Sequence, residues 1–396
     1  MKPMLLVPNH YLVGEPETLS METAEVVLAK AIESRYGKVS IAAFETSQVN
    51  DSLQGKFPRG TFDFYRLNVL SRNVRWAQKL INYCWATIVL PFTLAKHNWA
   101  YLFVPSPSAV IAALWAKLLR RPYGLYVRGT WMSDDGSTSL IWRLVLRHAH
   151  FIVATGEAFK KKISAFNKNV QNEVPLTMLR VATLDEEIER RSAQTRNILY
   201  VGHLSETKGV LDLVKAVGIA KEKMKLDVAI DFVGGATSEE EASIRSLSHE
   251  CGIETQLTLW GHIKDSELLR QRYTEADIFA FPSFYREGFP RVLYEAMMHG
   301  LPIITTKMPG IDGFLEDGRN CLHCQARNPL DIAKRIQQLV LNPTFGVRLG
   351  LAGHQQVADL FKTFHHHSHA DQVMSLAANI FGDNASDLTR SKHLSH

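Results

Sequence analysis

Short apolar runs alternate with longer stretches of helical spacing along most of the chain. Residues 4–7, 39–44, 101–104, 123–127 and 151–154 read as strands. Each is four to six mostly apolar residues long and bounded by polar or turn-forming ones. Between and after them, 19–34, 73–96, 108–119, 140–148 and 157–166 carry helical spacing, and 176–181 is expected to close this first series as a strand. The charged stretch 185–196 lacks strand signals and reads as a linker. The pattern then resumes, with strands expected at Ile198 and over 229–233, 257–260, 277–282 and 302–306, and helices starting at Val210, at Ser238 and around Pro290. Alternation of this kind implies an α/β protein with parallel sheets covered by helices on both faces. Two such units are expected, each binding ligands outside the carboxyl ends of its strands.

The richest stretch chemically is Arg286-Glu287-Gly288-Phe289-Pro290-Arg291-Val292-Leu293-Tyr294-Glu295, which ends one strand and opens a helix. Pro290 lacks an N–H and fits only a helix's first turn, while Gly300 and Pro302 stop the helix ten residues later. Glu287 then stands beside unpaired backbone N–H groups, where an anion such as phosphate is stabilised, and Glu295 falls about two turns in. Val292, Leu293, Ala296 and Met297 surround Glu295, so its carboxylate needs a hydrogen-bonding partner. Vicinal hydroxyls of a sugar or ribose would supply one, and so would a neighbouring Arg or Lys; spacing leaves both open.

With its surroundings, this segment resembles the Glu-x7-Glu signature of the GT4-type retaining glycosyltransferases. Residues 197–210, Asn-Ile-Leu-Tyr-Val-Gly-His-Leu-Ser-Glu-Thr-Lys-Gly-Val, resemble that family's strand, Gly-Arg-Leu turn and Lys-Gly helix start. Residues 302–306 and 310–320 resemble its next strand and the loop around the donor phosphates. The motif-level resemblance runs from about residue 196 to 342, and before residue 184 it rests on the order of strands and helices. It implies the GT-B fold, two facing Rossmann-like doubly wound domains: an acceptor-binding domain over 1–184, a linker over 185–196 and a nucleotide-sugar-binding domain over 197–364. A helix within 365–382 would cross back to the first domain, with 383–396 as a polar tail.

The same resemblance implies transfer, with retention, from a nucleotide-diphosphate sugar to a hydroxyl of a saccharide or lipid-linked saccharide, in bacterial surface-polysaccharide assembly. Lys208 would contact the diphosphate, where leaving-group charge develops. Glu287 would bind hydroxyls of the transferred sugar and Glu295 those of the ribose. Backbone N–H groups of Gly288, Phe289 and Arg291 would face sugar and phosphate around Pro290, which has none to donate. Gly14, expected in a loop over 9–16, stands where the family has a glycine turn near the donor phosphates, although a lone glycine is also an ordinary turn residue. His203 replaces the family's usual Arg, so the diphosphate is held less strongly or a second cation compensates. Arg128 ends a strand where many relatives have His-Gly, and is a candidate on the acceptor side. It would bind a phosphate or an acidic acceptor, or pair with Asp134 and Asp135. The departing phosphate oxygen would take the acceptor's proton, so Glu287, Lys208 and Arg128 act by position and charge. No Asp-x-Asp is present; no metal or other cofactor is expected, the nucleotide sugar being a co-substrate. A nucleotide-sugar epimerase of the same fold, a non-catalytic nucleotide-sugar-binding relative and a phosphorylase-like enzyme are the alternatives.

Composition adds boundaries. The 396 residues, 46% hydrophobic, suffice for two cores, and four cysteines make no secreted disulfide framework. Cys321-Leu322-His323-Cys324 has a metal-like spacing but no second ligand pair, so buried thiols are expected; His365, His366, His367 and His369 read as solvated histidines beside a late helix. The apolar run at 4–7 is too short for a signal core and that at 84–95 too short to span a bilayer, so the protein is expected in the cytoplasm or at the inner face of its membrane. Charge is uneven: residues 1–184 carry 22 Lys/Arg against 12 Asp/Glu, net +10, and 185–396 carry 23 against 28, net −5. Arg72, Arg75 and Lys79 recur at helical spacing beside Trp76, Leu80, Ile81 and Trp85. That is the pattern of a peripheral membrane helix, and still more often of an ordinary helix with one solvated basic face. Scattered basic residues and the lack of a known binding module argue against nucleic acid.

Overall fold

The computed structural model describes residues 4–8, 12–14, 17–21, 23–36, 38–46, 55–69, 76–128, 138–172, 184, 188–191, 196–285, 289–363 and 369–381. The chain divides into two compact units, Met1–Leu176 with His366–His396, and Thr177–His365.

The first unit is built on β1 (Met4–Val7), β2 (Leu12–Gly14), β3 (Thr18–Met21), α1 (Thr23–Tyr36), β4 (Val39–Ala43), β5 (Glu45–Thr46), β6 (Gly55–Pro58) and β7 (Asp63–Arg66). It continues through α2 (Trp76–Lys96), β8 (Trp99–Val104), α3 (Pro107–Leu118), β9 (Tyr123–Val127), α4 (Leu140–His148), β10 (Phe151–Ala154), α5 (Glu157–Ile163) and β11 (Val170–Asn172). Seven strands form a parallel sheet in the order β11-β10-β9-β8-β1-β4-β7. Side chains alternate across it. Leu5, Val7, Leu102, Val104, Leu125 and Ile152 join one apolar core with α2, α3 and α4, while Leu6, Ile41, Tyr101, Phe103 and Val153 join another with α1.

A small sheet in the order β5-β2-β3-β6 stands beside it and corrects two expectations. Residues 19–21 are not helical: Leu19 and Ser20 pair antiparallel with Phe57 and Lys56, and α1 starts only at Thr23. Gly14 is a strand residue, not a loop residue, paired with Leu19 in β2; a Cβ there would lie 1.9 Å from the carboxylate of Glu45. The strand expected at 176–181 lies outside the described residues, and the sheet ends instead on β11, paired with β10.

The second unit comprises β12 (Asn197–Val201), α6 (Val210–Met224), β13 (Ala229–Val233), α7 (Ser238–Glu250), β14 (Leu257–Gly261), α8 (Ser266–Glu275), β15 (Ile278–Phe281), α9 (Arg291–Met298), β16 (Ile303–Thr306), β17 (Leu322–Cys324), α10 (Pro329–Leu341) and α11 (Pro343–Thr363). Its six strands are parallel in the order β14-β13-β12-β15-β16-β17. Strand order therefore reverses between β12 and β15, the point where a doubly wound sheet opens a crevice at its carboxyl ends. Part of the stretch read as linker is docked on this unit. Arg191 is buried and donates to the carbonyls of Ala276, His299 and Gly300, and Arg190 pairs with Asp277.

The last helix, α12 (His369–Phe381), belongs to the first unit, where Ala370, Val373, Met374 and Ala377 enter its core. His369 is buried, not solvated. Its Nε2 lies 3.1 Å from the Tyr101 hydroxyl and its ring 4.7 Å from that of Tyr126, because the helix returns apolar face inward. Residues 365–367 lie outside the described residues, as does 383–396.

Candidate functional site

The crevice at the β12/β15 reversal is assembled from two loops that hold each other. After β12 the chain turns through Gly202 and a short 3-10 turn, Glu206–Lys208, and enters α6 at Gly209. After β15 it runs through Pro282 and Ser283 toward residue 287. The Thr207 carbonyl accepts the backbone N–H groups of both Phe284 and Tyr285, each at 3.1 Å, which ties the Lys208 turn to the second loop. Gly209 makes the approach possible: its φ is +77°, and a Cβ there would lie 2.2 Å from the Pro282 carbonyl. Thr306 donates to the carbonyl of buried Ser283, fixing the second loop to β16. Two cations grip its aromatic pair, with Lys208 Nζ 4.8 Å from the Tyr285 ring centre and the Arg327 guanidinium 4.2 Å from that of Phe284. The ammonium of Lys208 is thus held at the mouth of the loop that leads to residue 287.

The loop ends in α9. Pro290 is the N-cap, one position earlier than the first helical residue expected for it, and its own side chain makes no capping hydrogen bond. The first-turn N–H groups of an α-helix have no intrahelical acceptor, so this end is an electropositive face suited to an anion. Phe289 is anchored by its ring rather than offered to a ligand: it is buried, 4.0 Å from Tyr294 and edge-on to Phe314. Glu295 is half-buried in the helix, and the Tyr273 hydroxyl of α8 donates to its Oε2 at 2.9 Å. Tyr273 is itself fully buried and stacked on His299, so burial and then the neighbouring carboxylate push its phenol well above the usual 10. It therefore remains a donor at any physiological pH, directed at Glu295. Arg286, Glu287 and Gly288 lie outside the described residues.

His203 is exposed beyond β12. Its carbonyl accepts from the Tyr200 hydroxyl at 3.0 Å, and Nε2 faces the Glu240 carboxylate at 3.5 Å. Glu240 is fixed by the capping box of α7, accepting from the Thr237 N–H. An anion approaching His203 thus meets a carboxylate already in place.

In the first unit, Arg128 follows β9. Its Nη2 lies 3.0 Å from Oε1 of Glu25, which is buried in the first turn of α1, and its guanidinium stands over the rings of Phe103 and Tyr126. Asp134 and Asp135 lie outside the described residues. Gly14 is placed by the β2–β3 pairing and the Glu45 side chain. The remaining candidate cluster resolves as buried chemistry: Cys321 and Cys324 are buried free thiols, pushed up to about 12 chiefly by burial, and no three His, Cys, Asp or Glu side chains converge as a metal site among the described residues.

Tyr273, Glu240 and Glu25 had no signal in the sequence. Each meets its partner across tens of residues, through the packing of one helix on another element.

Residues 183–356 match the family model for glycosyl transferases group 1. Spore coat protein SA of Bacillus subtilis is 33% identical over 160 residues, 39% of this chain and 41% of that one, so the chain spans well under half the length of that relative. The capsular polysaccharide biosynthesis glycosyltransferase CapM of Staphylococcus aureus is 23% identical over 278 residues, 65% of this chain and 71% of that one. Anabaena HepE, solved in complex with UDP, superposes with a TM-score of 0.66 at 16% identity, over 98% of this chain and all of that one. At that identity the likeness shows the fold, two Rossmann-like units of the GT-B type.

Proposed function

We propose that the protein is a retaining glycosyltransferase that moves a sugar from a nucleotide-diphosphate sugar to a hydroxyl of a saccharide or lipid-linked saccharide, in surface-polysaccharide assembly on the cytoplasmic side of the membrane. The observation that carries the reading is the joined pair of loops at the β12/β15 reversal, with Lys208 and the start of α9 on one side and Glu295 about one turn further in. An ammonium and helix N–H groups suit a diphosphate, and a carboxylate oriented by Tyr273 suits a pair of ribose hydroxyls. The match over 183–356 and the UDP bound to HepE support the same assignment.

In this mechanism the diphosphate leaves toward Lys208 and α9, which stabilise its growing charge without a metal or other cofactor. Glu287 holds the transferred sugar, with the N–H groups of Gly288, Phe289 and Arg291 around it. The acceptor hydroxyl enters on the face the diphosphate leaves and gives its proton to the departing phosphate oxygen. His203 adds a hydrogen bond rather than a fixed charge, and Gly14 and Arg128 lie on the first unit's contribution. Arg128 is held by Glu25, so its part is to present a positively charged edge to an anionic acceptor group.

The test is product analysis with a panel of nucleotide sugars, with and without lipid-linked saccharide acceptors. Lys208→Ala and Glu287→Ala are each expected to abolish transfer while leaving the far-ultraviolet circular dichroism unchanged. Near-normal turnover in either variant sinks the assignment. Donor consumed without acceptor would indicate an epimerase, and donor bound but never consumed a non-catalytic relative.

A further inference from the structure

α2 is apolar on two opposite sides. Ala86, Leu90 and Leu94 face the sheet and are buried, while Ile81, Trp85, Ile88 and Phe92 form an outward stripe at the i, i+4, i+7, i+11 spacing of one helix face, with Phe92 71% exposed. The sequence pattern left open an ordinary helix with a solvated basic face, and the outward stripe is not of that kind. Its neighbours repeat the feature. α2 packs on α3 and α3 on α4, and all three cover the same face of the seven-stranded sheet. Their outward sides therefore form one surface, to which α3 adds Leu118, 70% exposed, and α4 adds Leu140, 79% exposed. More than half of the exposed large apolar side chains among the described residues lie on these three helices and the residue after α3. Scattered exposed apolar residues are ordinary; a continuous field of them marks a contact.

Charge identifies what covers it. The three helices carry five Lys or Arg and no Asp or Glu, and Arg120 and Arg121 follow α3 directly. Lys79, Lys117, Arg143 and Arg147 are exposed among the apolar side chains. A second copy presenting the same field would set like charges against each other, whereas an anionic lipid surface matches both the apolar area and the sign. No helix among the described residues is long and apolar enough to cross a membrane, so the contact is one of lying on the surface. We infer that the outer face of α2, α3 and α4 is the site at which this protein docks on an anionic lipid bilayer. The inference stands on the first unit alone and does not depend on the chemistry assigned to the second.

Co-sedimentation of the full chain with phosphatidylcholine vesicles, with and without phosphatidylglycerol, tests it. Binding is expected to the anionic vesicles and to weaken with added salt. It should fall roughly tenfold or more in Ile88→Ser/Phe92→Ser and in Lys117→Gln/Arg147→Gln, each pair removing half of the two-part anchor. Thermal midpoints and consumption of a soluble donor should be unchanged in both variants, which separates failure here from failure of the glycosyltransferase reading. No preference for anionic vesicles, or wild-type binding by the serine variant, would overturn the inference. So would a concentration-dependent dimer in sedimentation velocity that the serine variant abolishes, because the face would then be covered by a second copy.

Discussion

Glu295 shows how much of this site is set by single contacts. On the proposed reading Glu295 recognises hydroxyls and needs one orientation, which the Tyr273 hydroxyl, kept protonated by burial, favours with its hydrogen bond. A hydrogen bond to a charged group contributes roughly 1.5–3 kcal/mol. Tyr273→Phe keeps the stacking on His299 and removes only that bond. It is expected to weaken nucleotide binding several-fold by titration calorimetry while leaving turnover at saturating donor nearly intact; an equal loss in both would mean the tyrosine serves the chemical step. His203 makes the opposite case. An Arg there would bring a permanent charge and a second donor to the diphosphate, with Glu240 already placed to orient it. His203→Arg is therefore expected to tighten donor binding, and unchanged or weaker affinity would show that this position does not face the phosphates. Lys208 and Glu295 could be singled out from the sequence because the signals around them are local, a turn and a helix start. Their partners could not: Tyr273 reaches Glu295 across 22 residues and Glu25 reaches Arg128 across 103, separations that only tertiary packing brings together.

Among the elements, the turn between β12 and α6 decides whether the two loops of the crevice meet. Gly209 combines a left-handed φ with a backbone approach that no side chain fits, since its Cβ would contact the Pro282 carbonyl. Gly252 has a similar φ, +63°, but nothing within 4 Å of a Cβ. Left-handed strain alone costs about 1–3 kcal/mol. Gly252→Ala should therefore lose about that much in urea unfolding, and Gly209→Ala should lose more, with donor binding falling as the Thr207 link to Phe284 and Tyr285 loosens. Equal losses in the two variants would show that the loop contact is not held by this glycine. The second unit's strands were readable because β12, β15 and β16 are buried on both faces and so nearly all apolar. The small sheet was not, because β2, β3, β5 and β6 are two to four residues long, mix polar and apolar side chains, and exist through pairing between distant segments. α2 was read correctly as a helix. Its second apolar face became visible only once the sheet fixed which side is inside.

At the scale of the molecule, two parallel sheets are each closed by helices, and the chain returns through α12 to complete the core of the unit it began in. Alternation along the sequence predicted the two sheets; where the return helix docks depends on Tyr101 and Tyr126, far from it in sequence. Each unit also contains histidine held neutral by burial. His97 is enclosed between the Thr93 carbonyl and the Ser40 hydroxyl, and half-buried His323 sits in β17; burial is the main cause lowering both below the usual 6.5. The sign follows from proton counting. Between the folded and unfolded values the unfolded chain binds more protons, so stability rises with pH there. It is fully present above about pH 6.5, the unfolded value, and is lost as the pH falls from there toward the depressed folded values. His249, exposed beside Glu254, is shifted upward and contributes with the opposite sign, but in full contact with water its effect is screened. The thermal midpoint is therefore expected to fall on acidification from about pH 7.5 to 5.5. His97→Gln, which keeps a polar side chain between Thr93 and Ser40 but cannot titrate, should flatten that slope. A midpoint that rises on acidification, or a slope untouched by the substitution, would show that the buried imidazoles do not govern the acid limb.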